Sequence, residues 1–186
     1  MFFSNGADTR TYGLDFTSDY HTDLGGSGAI DWDLSVNFNH TDITRIGLDG
    51  NGKPLLDPSQ VADLTTNSPR SKVILGGTWS SGVWLASVHE IRYGTSVSLD
   101  QFYTGPEAFS ITDFYRSING PKYVTNVEFG LHLNGFEWVL GADNLFDEYP
   151  KLLPPANRYI GAALYDAYTG LGINGGYYYT RLSYHF

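Results

Sequence analysis

Six carboxylates, Asp15, Asp31, Asp33, Glu128, Glu137 and Asp143, are the first candidates for chemistry in this chain. Two carboxylates held at a fixed separation can cleave a glycoside, but nothing in their spacing brings two of these together. Each falls on the polar side of an alternating segment, so solvation of a wet surface is the plain reading and the wall of a lumen the sharper one. The histidines, His21, His40, His89, His132 and His185, are not at ligand spacing from one another, which favours structural roles over a metal site. No Gly-x-Ser-x-Gly, phosphate loop or dinucleotide fingerprint is present. Asn39-His40-Thr41 matches a glycosylation sequon, a three-residue pattern that chance supplies often. No catalytic residue, metal site or cofactor site is expected. Candidate ligand contacts are the aromatics Phe102, Tyr103, Tyr159, Tyr165 and Tyr168, which could stack on a ligand, and Arg158, which could meet an anionic one. The same side chains could equally pack loops together or form an interfacial belt.

The elements that would carry these residues are strands. Ile30, Trp32, Leu34, Val36 and Phe38 alternate with Asp31, Asp33, Ser35, Asn37 and Asn39, one face apolar and the other polar. Similar alternation runs through Tyr12–Thr17, Lys72–Trp79, Tyr123–Leu133, Phe136–Asp143 and Tyr178–Phe186. A further strand starts at Val83 and runs towards Leu99, with faces too blurred to assign. The links at Gly25–Gly28, Ser80–Gly82 and Asn134–Gly135 are very short, and Asn-Gly is the strongest short hairpin signal. The links from Gly47 to Pro69, Asp100 to Pro121 and Leu145 to Asn174 are long. Short and long links alternate strictly, so an antiparallel meander puts all tight turns on one rim and all long loops on the other. That is the pattern of an outer-membrane barrel. Two long links have helical signals: Asp57-Pro58 as cap and first-turn proline of a helix over Pro58–Leu64, and an alanine-rich stretch from Arg158 to Tyr168.

Composition agrees. No run approaches the roughly 18 apolar residues of a spanning helix, whereas a spanning strand needs only about 9–11 residues, alternately apolar. With Tyr 14 and Phe 11 against Met 1, the chain is rich in residues that favour strands and membrane interfaces. Cys 0 excludes a disulfide scaffold and a thiolate metal site. The formal charge of −9, with no basic patch, removes the footprint of nucleic-acid binding. Met1–Gly6 has neither the basic region nor the apolar core of a signal peptide. Either the protein is cytosolic or its beginning lies upstream.

Gly141-Ala142-Asp143-Asn144-Leu145-Phe146-Asp147-Glu148-Tyr149-Pro150 resembles the Asn-Leu-Phe-Asp…Tyr-Pro signature near the end of TonB-dependent outer-membrane receptors. Gly176 to Phe186 resembles their closing strand with its terminal Phe. Thr9-Arg10-Thr11-Tyr12-Gly13-Leu14-Asp15 and Pro69-Arg70-Ser71-Lys72 add weaker likeness. The resemblance implies that residues 1–186 are the C-terminal portion of a transmembrane barrel of about 22 strands, whose plug domain is absent from this sequence. It implies as partners the outer-membrane lipid, the plug and remaining barrel strands, and the TonB energising complex acting through that plug. It also implies a small-molecule or metal-chelate substrate such as a ferric siderophore, and a place in the bacterial outer membrane. Asn144, Leu145, Phe146, Asp147, Tyr149, Pro150 and Phe186 carry the family motif, whose expected work is structural: Asp, Asn and Pro end a strand and turn the chain.

The expectation is thus an all-β antiparallel meander of about seven or eight long strands, serving energised uptake and not catalysis. Two alternatives stand beside it: a complete small outer-membrane barrel, and a soluble carbohydrate-binding β-sandwich. The sandwich explains the alternation and the aromatic loops but not the strict succession of short and long links.

Overall fold

A computed structural model describes residues 5–161, 163–166 and 169–184. Its strands are β1 (Ala7–Asp23), β2 (Ala29–Ile46), β3 (Ser71–Ser81), β4 (Trp84–Tyr93), β5 (Ser96–Gln101), β6 (Phe114–Asn119), β7 (Lys122–Leu133), β8 (Phe136–Asp143) and β9 (Tyr177–Tyr184), with one α-helix, α1 (Pro58–Thr65). Seven strands form one sheet in the order β1-β2-β3-β4-β7-β8-β9, and β5 pairs with β6 in a second sheet. All pairings are antiparallel. The fold is therefore an antiparallel meander. The tight turns sit together on one rim, and at β7–β8 both Asn134 (φ 47) and Gly135 (φ 84) take the left-handed backbone that a two-residue hairpin requires.

The register sorts the side chains into two faces, because directly opposed residues in a sheet share a side. Phe16, Val36 and Val73 lie in one row, as do Leu34 and Leu75, then Val88 with Val127, and Phe129 with Leu140. On this face aromatics gather at two levels. Tyr20, Trp32, Trp79, Trp84 and Trp138 lie towards the turn rim, and Tyr12, Phe38, Tyr123 and Tyr178 towards the loop rim, with aliphatic side chains between. The opposite face carries all six carboxylates singled out in the sequence, and most are bonded across strands. Asn37 Nδ2 donates to Asp15 (2.6 Å), Tyr179 Oη to Glu128 (2.6 Å), and His89 Nε2 lies 3.1 Å from Asp33.

A single sheet has no second layer to cover its apolar face. The buried apolar side chains among the described residues are accordingly few: Ala62, Val124, Val139, Ala142 and Leu153. Large ones on the apolar face stay open, with Leu14 68% and Leu182 69% exposed. The sheet ends at β1 on one side and β9 on the other, and these two strands do not pair among the described residues. An open sheet is one of two outcomes expected of such a meander; the other, a strained closure that borrows Met1–Gly6 as an eighth strand, falls partly on Met1–Ser4, outside the described residues.

The segment from Val83 to Leu99, read as one strand, is two. β4 stops at Tyr93 and β5 resumes at Ser96. Tyr93 pairs with Lys122 and Ser96 with Asn119, so the β5–β6 hairpin continues the β4–β7 register past a two-residue break on each chain. Gly94 closes against Ser71, donating its N–H to that carbonyl at 2.8 Å. The blurred alternation also has a cause: Glu90 and Arg92 share the face of Leu75 and Val73, near the loop end of β4, where Thr125 Oγ1 donates to Glu90 at 2.6 Å. The link from Asp100 to Pro121, expected as a long loop, contains the strand β6. α1 forms where the cap and proline place it. Gln60 completes a capping box with Asp57, each side chain bonding the other's backbone N–H at 2.9 Å. Within its described part the alanine-rich stretch holds a 3₁₀ turn at Tyr159–Gly161 and an antiparallel bridge from Tyr165 to Leu152, not an α-helix.

Candidate ligand cavity on the loop rim

The long loops are built around the β5–β6 hairpin. Val97 and Leu99 face α1, which is tied to β5 by Val97 N–H to Thr66 O (2.8 Å) and Ser59 Oγ to Leu99 O (2.7 Å). The other side of the hairpin is polar and buried, with Ser96, Ser98, Ser117 and Asn119 all covered. The link after β8 supplies the cover. Lys151 N–H donates to Asn119 Oδ1 at 2.7 Å, and Asp166, 1% exposed, accepts from Ser98 Oγ (2.6 Å) and Asn119 Nδ2 (2.8 Å). Asn157, 2% exposed, pins the same link to the end of β5 by donating Nδ2 to the carbonyls of Asp100 (3.2 Å) and Gln101 (3.1 Å).

Between β5 and this link lies a cavity of about 200 Å³, lined by Asp100, Gln101, Tyr103, Leu153, Asn157, Tyr159, Ala163, Tyr165 and Asp166. Ser98 Oγ lies 3.0 Å from Asp100 as well as 2.6 Å from Asp166. One hydroxyl has one proton and cannot serve two carboxylates. Burial, reinforced by the neighbouring charge of Asp166, pushes Asp100 up to about 6. Burial likewise raises Asp63 on α1. Lys151 opposes the trend at Asp100, but its Nζ sits 5.4 Å from the Tyr115 ring centre and does not line the cavity.

Of the aromatics singled out in the sequence, the structure brings Tyr103, Tyr159 and Tyr165 to this wall. Tyr103 meets Tyr159 edge-on at 5.1 Å, and Tyr165 stacks on Tyr149 at 4.8 Å. Phe102 is half-buried in a turn closed by Phe109 N–H to its carbonyl (2.8 Å) and stands off the wall. Arg158 also stands off it, with Nε donated to Leu153 O at 2.9 Å. Tyr168 lies outside the described residues. Asp100, Asn157 and Asp166 were not singled out. A signal existed for the first, since Ser96, Ser98 and Asp100 alternate with Val97 and Leu99.

The Asn144–Pro150 motif turns the chain out of β8. Asn144 (φ 53) accepts Glu148 N–H at 2.9 Å and donates Nδ2 to Glu148 O at 2.8 Å, closing the turn on itself, while its own N–H goes to Asn126 Oδ1 at 2.9 Å. Leu145 N–H bonds Thr125 O (2.8 Å) and Leu145 O accepts from Tyr178 Oη (3.0 Å), so the motif joins β7 to β9. Asp147 (φ 60) accepts Gly176 N–H at 2.7 Å and also holds the Tyr149 hydroxyl, keeping that phenol above its ordinary value. Pro150 is buried and Phe146 exposed. Phe186 lies outside the described residues.

No family model matches the chain, and no curated protein matches it. Solved structures do. A ferric enterobactin receptor from Pseudomonas aeruginosa, in complex with enterobactin, is 19% identical at a TM-score of 0.51, over 94% of this chain and 22% of that one. The copper transporter OprC is 18% identical at a TM-score of 0.56, over 97% of this chain and 24% of that one. The chain spans less than a quarter of the length of the structures it matches. Its fold, an open antiparallel meander with tight turns on one rim and long loops on the other, is that of a segment of such receptor barrels.

Proposed function

We propose that this chain is the C-terminal barrel portion of a TonB-dependent outer-membrane receptor, and that it serves energised uptake of a scarce small nutrient such as a metal chelate. The observation that carries the reading is the division of one sheet into two faces. One side presents an exposed aliphatic band between two levels of aromatics, and the other a hydrogen-bonded carboxylate ladder. Lipid has no partner to offer a charge, and water gains nothing from an apolar band, so the two faces call for two media. Glu90 and Arg92 on the apolar side fit this arrangement because they lie near the Tyr123 level, where headgroups and water begin. In this reading the plug and the energising complex belong to the rest of the receptor. The long loops meet the substrate outside the cell.

Strand direction adds to it. β1 and β9 both run from the loop rim to the turn rim, so they could meet only in parallel. An antiparallel closure needs an odd number of further strands, as a barrel with an even total provides. A self-contained small barrel built from these seven strands is disfavoured for the same reason, and a sandwich lacks its second layer.

The test is surface labelling. An epitope inserted between Asn51 and Gly52, in a long loop, should be reached by antibody on intact cells. One inserted between Asn134 and Gly135 should be reached only after permeabilisation. Recovery of the protein without detergent, or equal labelling of both epitopes, would overturn the reading.

A further inference from the structure

We propose that the loop-rim cavity beside β5 receives an ammonium group of the transported ligand, and so selects amine-bearing solutes over anionic chelates. The inference rests on the reading of the long loops as the ligand-contacting rim. It concerns which ligand they take.

Among the described residues the lining carries two carboxylates, Asp100 and Asp166, and no Lys, Arg or His. Arg158, the residue that an anionic ligand would need, is turned to the Leu153 carbonyl. An anion entering here would lose water and gain two like charges. A cation finds the reverse. Tyr103, Tyr159 and Tyr165 supply aromatic surface, and ring faces attract an ammonium. Asn157 gives an independent indication. Its Nδ2 is committed to two carbonyls, which fixes the amide's orientation, and its buried Oδ1 takes no hydrogen bond from any described residue. A buried acceptor without a donor is costly, and Asn157 is one of the residues that line this cavity. A bare metal ion fits less well, because among the described residues no group of three His, Cys, Asp or Glu stands together. The volume of about 200 Å³ holds an amine and its adjoining methylenes, not a whole chelate. The ammonium could therefore belong to a free polyamine or to the arm of a larger ligand.

Calorimetric titration of the full chain in detergent micelles at low salt distinguishes these. The probes are putrescine, a ferric tris-hydroxamate chelate with a terminal ammonium, and the same chelate N-acetylated. Binding of putrescine together with the amino chelate, and not of the acetylated one, is expected for a general amine site. Binding of the amino chelate alone assigns the amine to a larger ligand. Asp100→Asn and Asn157→Leu should each weaken the ammonium probe at least about ten-fold, and Arg158→Ala should leave it within about two-fold. Asp166→Asn removes a buried partner of Ser98 and Asn119, so the first two variants decide the matter even if that one fails to fold. Equal affinity for the acetylated chelate, no binding of either amine, or unchanged affinity in Asp100→Asn and Asn157→Leu would overturn the inference. Surface labelling of the loop epitope reads the receptor assignment separately, so either can fail while the other stands.

Discussion

At Gly141 a single methyl group should disturb a contact that spans three strands. A Cβ built there would overlap the ring of Tyr179, which lies across the glycine from β9 and reaches Glu128 on β7 with its hydroxyl at 2.6 Å. The glycine thus lets one side chain cross β8 and tie three strands together on the polar face. Gly141→Ala must push the ring aside, breaking a hydrogen bond to a charged acceptor worth about 1.5–3 kcal/mol. Tyr179→Phe should lose only the hydroxyl, within that same range of about 1.5–3 kcal/mol. If both changes break one bond, they cannot add, and the double variant should be less destabilised than the sum by roughly the value of the bond. Urea unfolding in detergent, followed through tryptophan fluorescence, to which Trp138 on β8 contributes, measures all three. A Gly141→Ala variant within about 0.5 kcal/mol of the parent, or strict additivity of the pair, would refute the reasoning.

Other outcomes follow from the same geometry. Asn144→Ala removes both bonds that close the turn after β8 and should cost about 1–3 kcal/mol by the same unfolding measurement. Asp100 has its carboxyl raised to about 6 by burial and by Asp166, with Asp63 adding to the rise and Lys151 opposing it, so the folded loops hold a proton that the unfolded chain releases near the ordinary value of 3.8. Its contribution to loop stability is therefore full below about pH 4 and lost as pH rises through about 6. Protease resistance of the loops should fall over that window in the parent and stay flat there in Asp100→Asn. Deleting Leu152 to Ile173 should abolish ligand binding far more than it impairs membrane insertion, and insertion lost with binding kept would reverse the loop assignment.

How much of this was legible in the sequence depends on the range of the interactions. Six strands of the sheet show themselves because each has its own period of two, as in Ile30–Asn39, while β4 shows only as a strand of blurred faces; α1 shows itself because Asp57 and Pro58 mark its start within two residues. The break at Gly94-Thr95 was hidden: Glu90 and Arg92 interrupt the apolar period at the point where the strand leaves the aliphatic band, and the hairpin resumes in the same register. The cavity was hidden for a different reason. Tyr103, Tyr159 and Tyr165 stand out by type, but their meeting with Asp100, Asn157 and Asp166 is made by loop-to-hairpin bonds, such as Asn119 to Asp166, between segments far apart in the chain. Arg158 stands out by type as well, but the bond from its Nε to a carbonyl five residues earlier, which sets it off the cavity wall, is equally invisible in the sequence.

The central claim is that the two faces of one sheet meet two media, and neighbouring residues on β2 test it most directly. With Cys 0 in the parent chain, Trp32→Cys and Asp33→Cys each offer a single site for a nitroxide label. Measured in the assembled barrel in phospholipid bilayers, the label at position 32 should relax strongly with oxygen, which partitions into lipid, and weakly with a water-soluble nickel complex. The label at position 33 should do the opposite. Equal accessibility of the two positions to both relaxants, or the reverse order, would contradict the account.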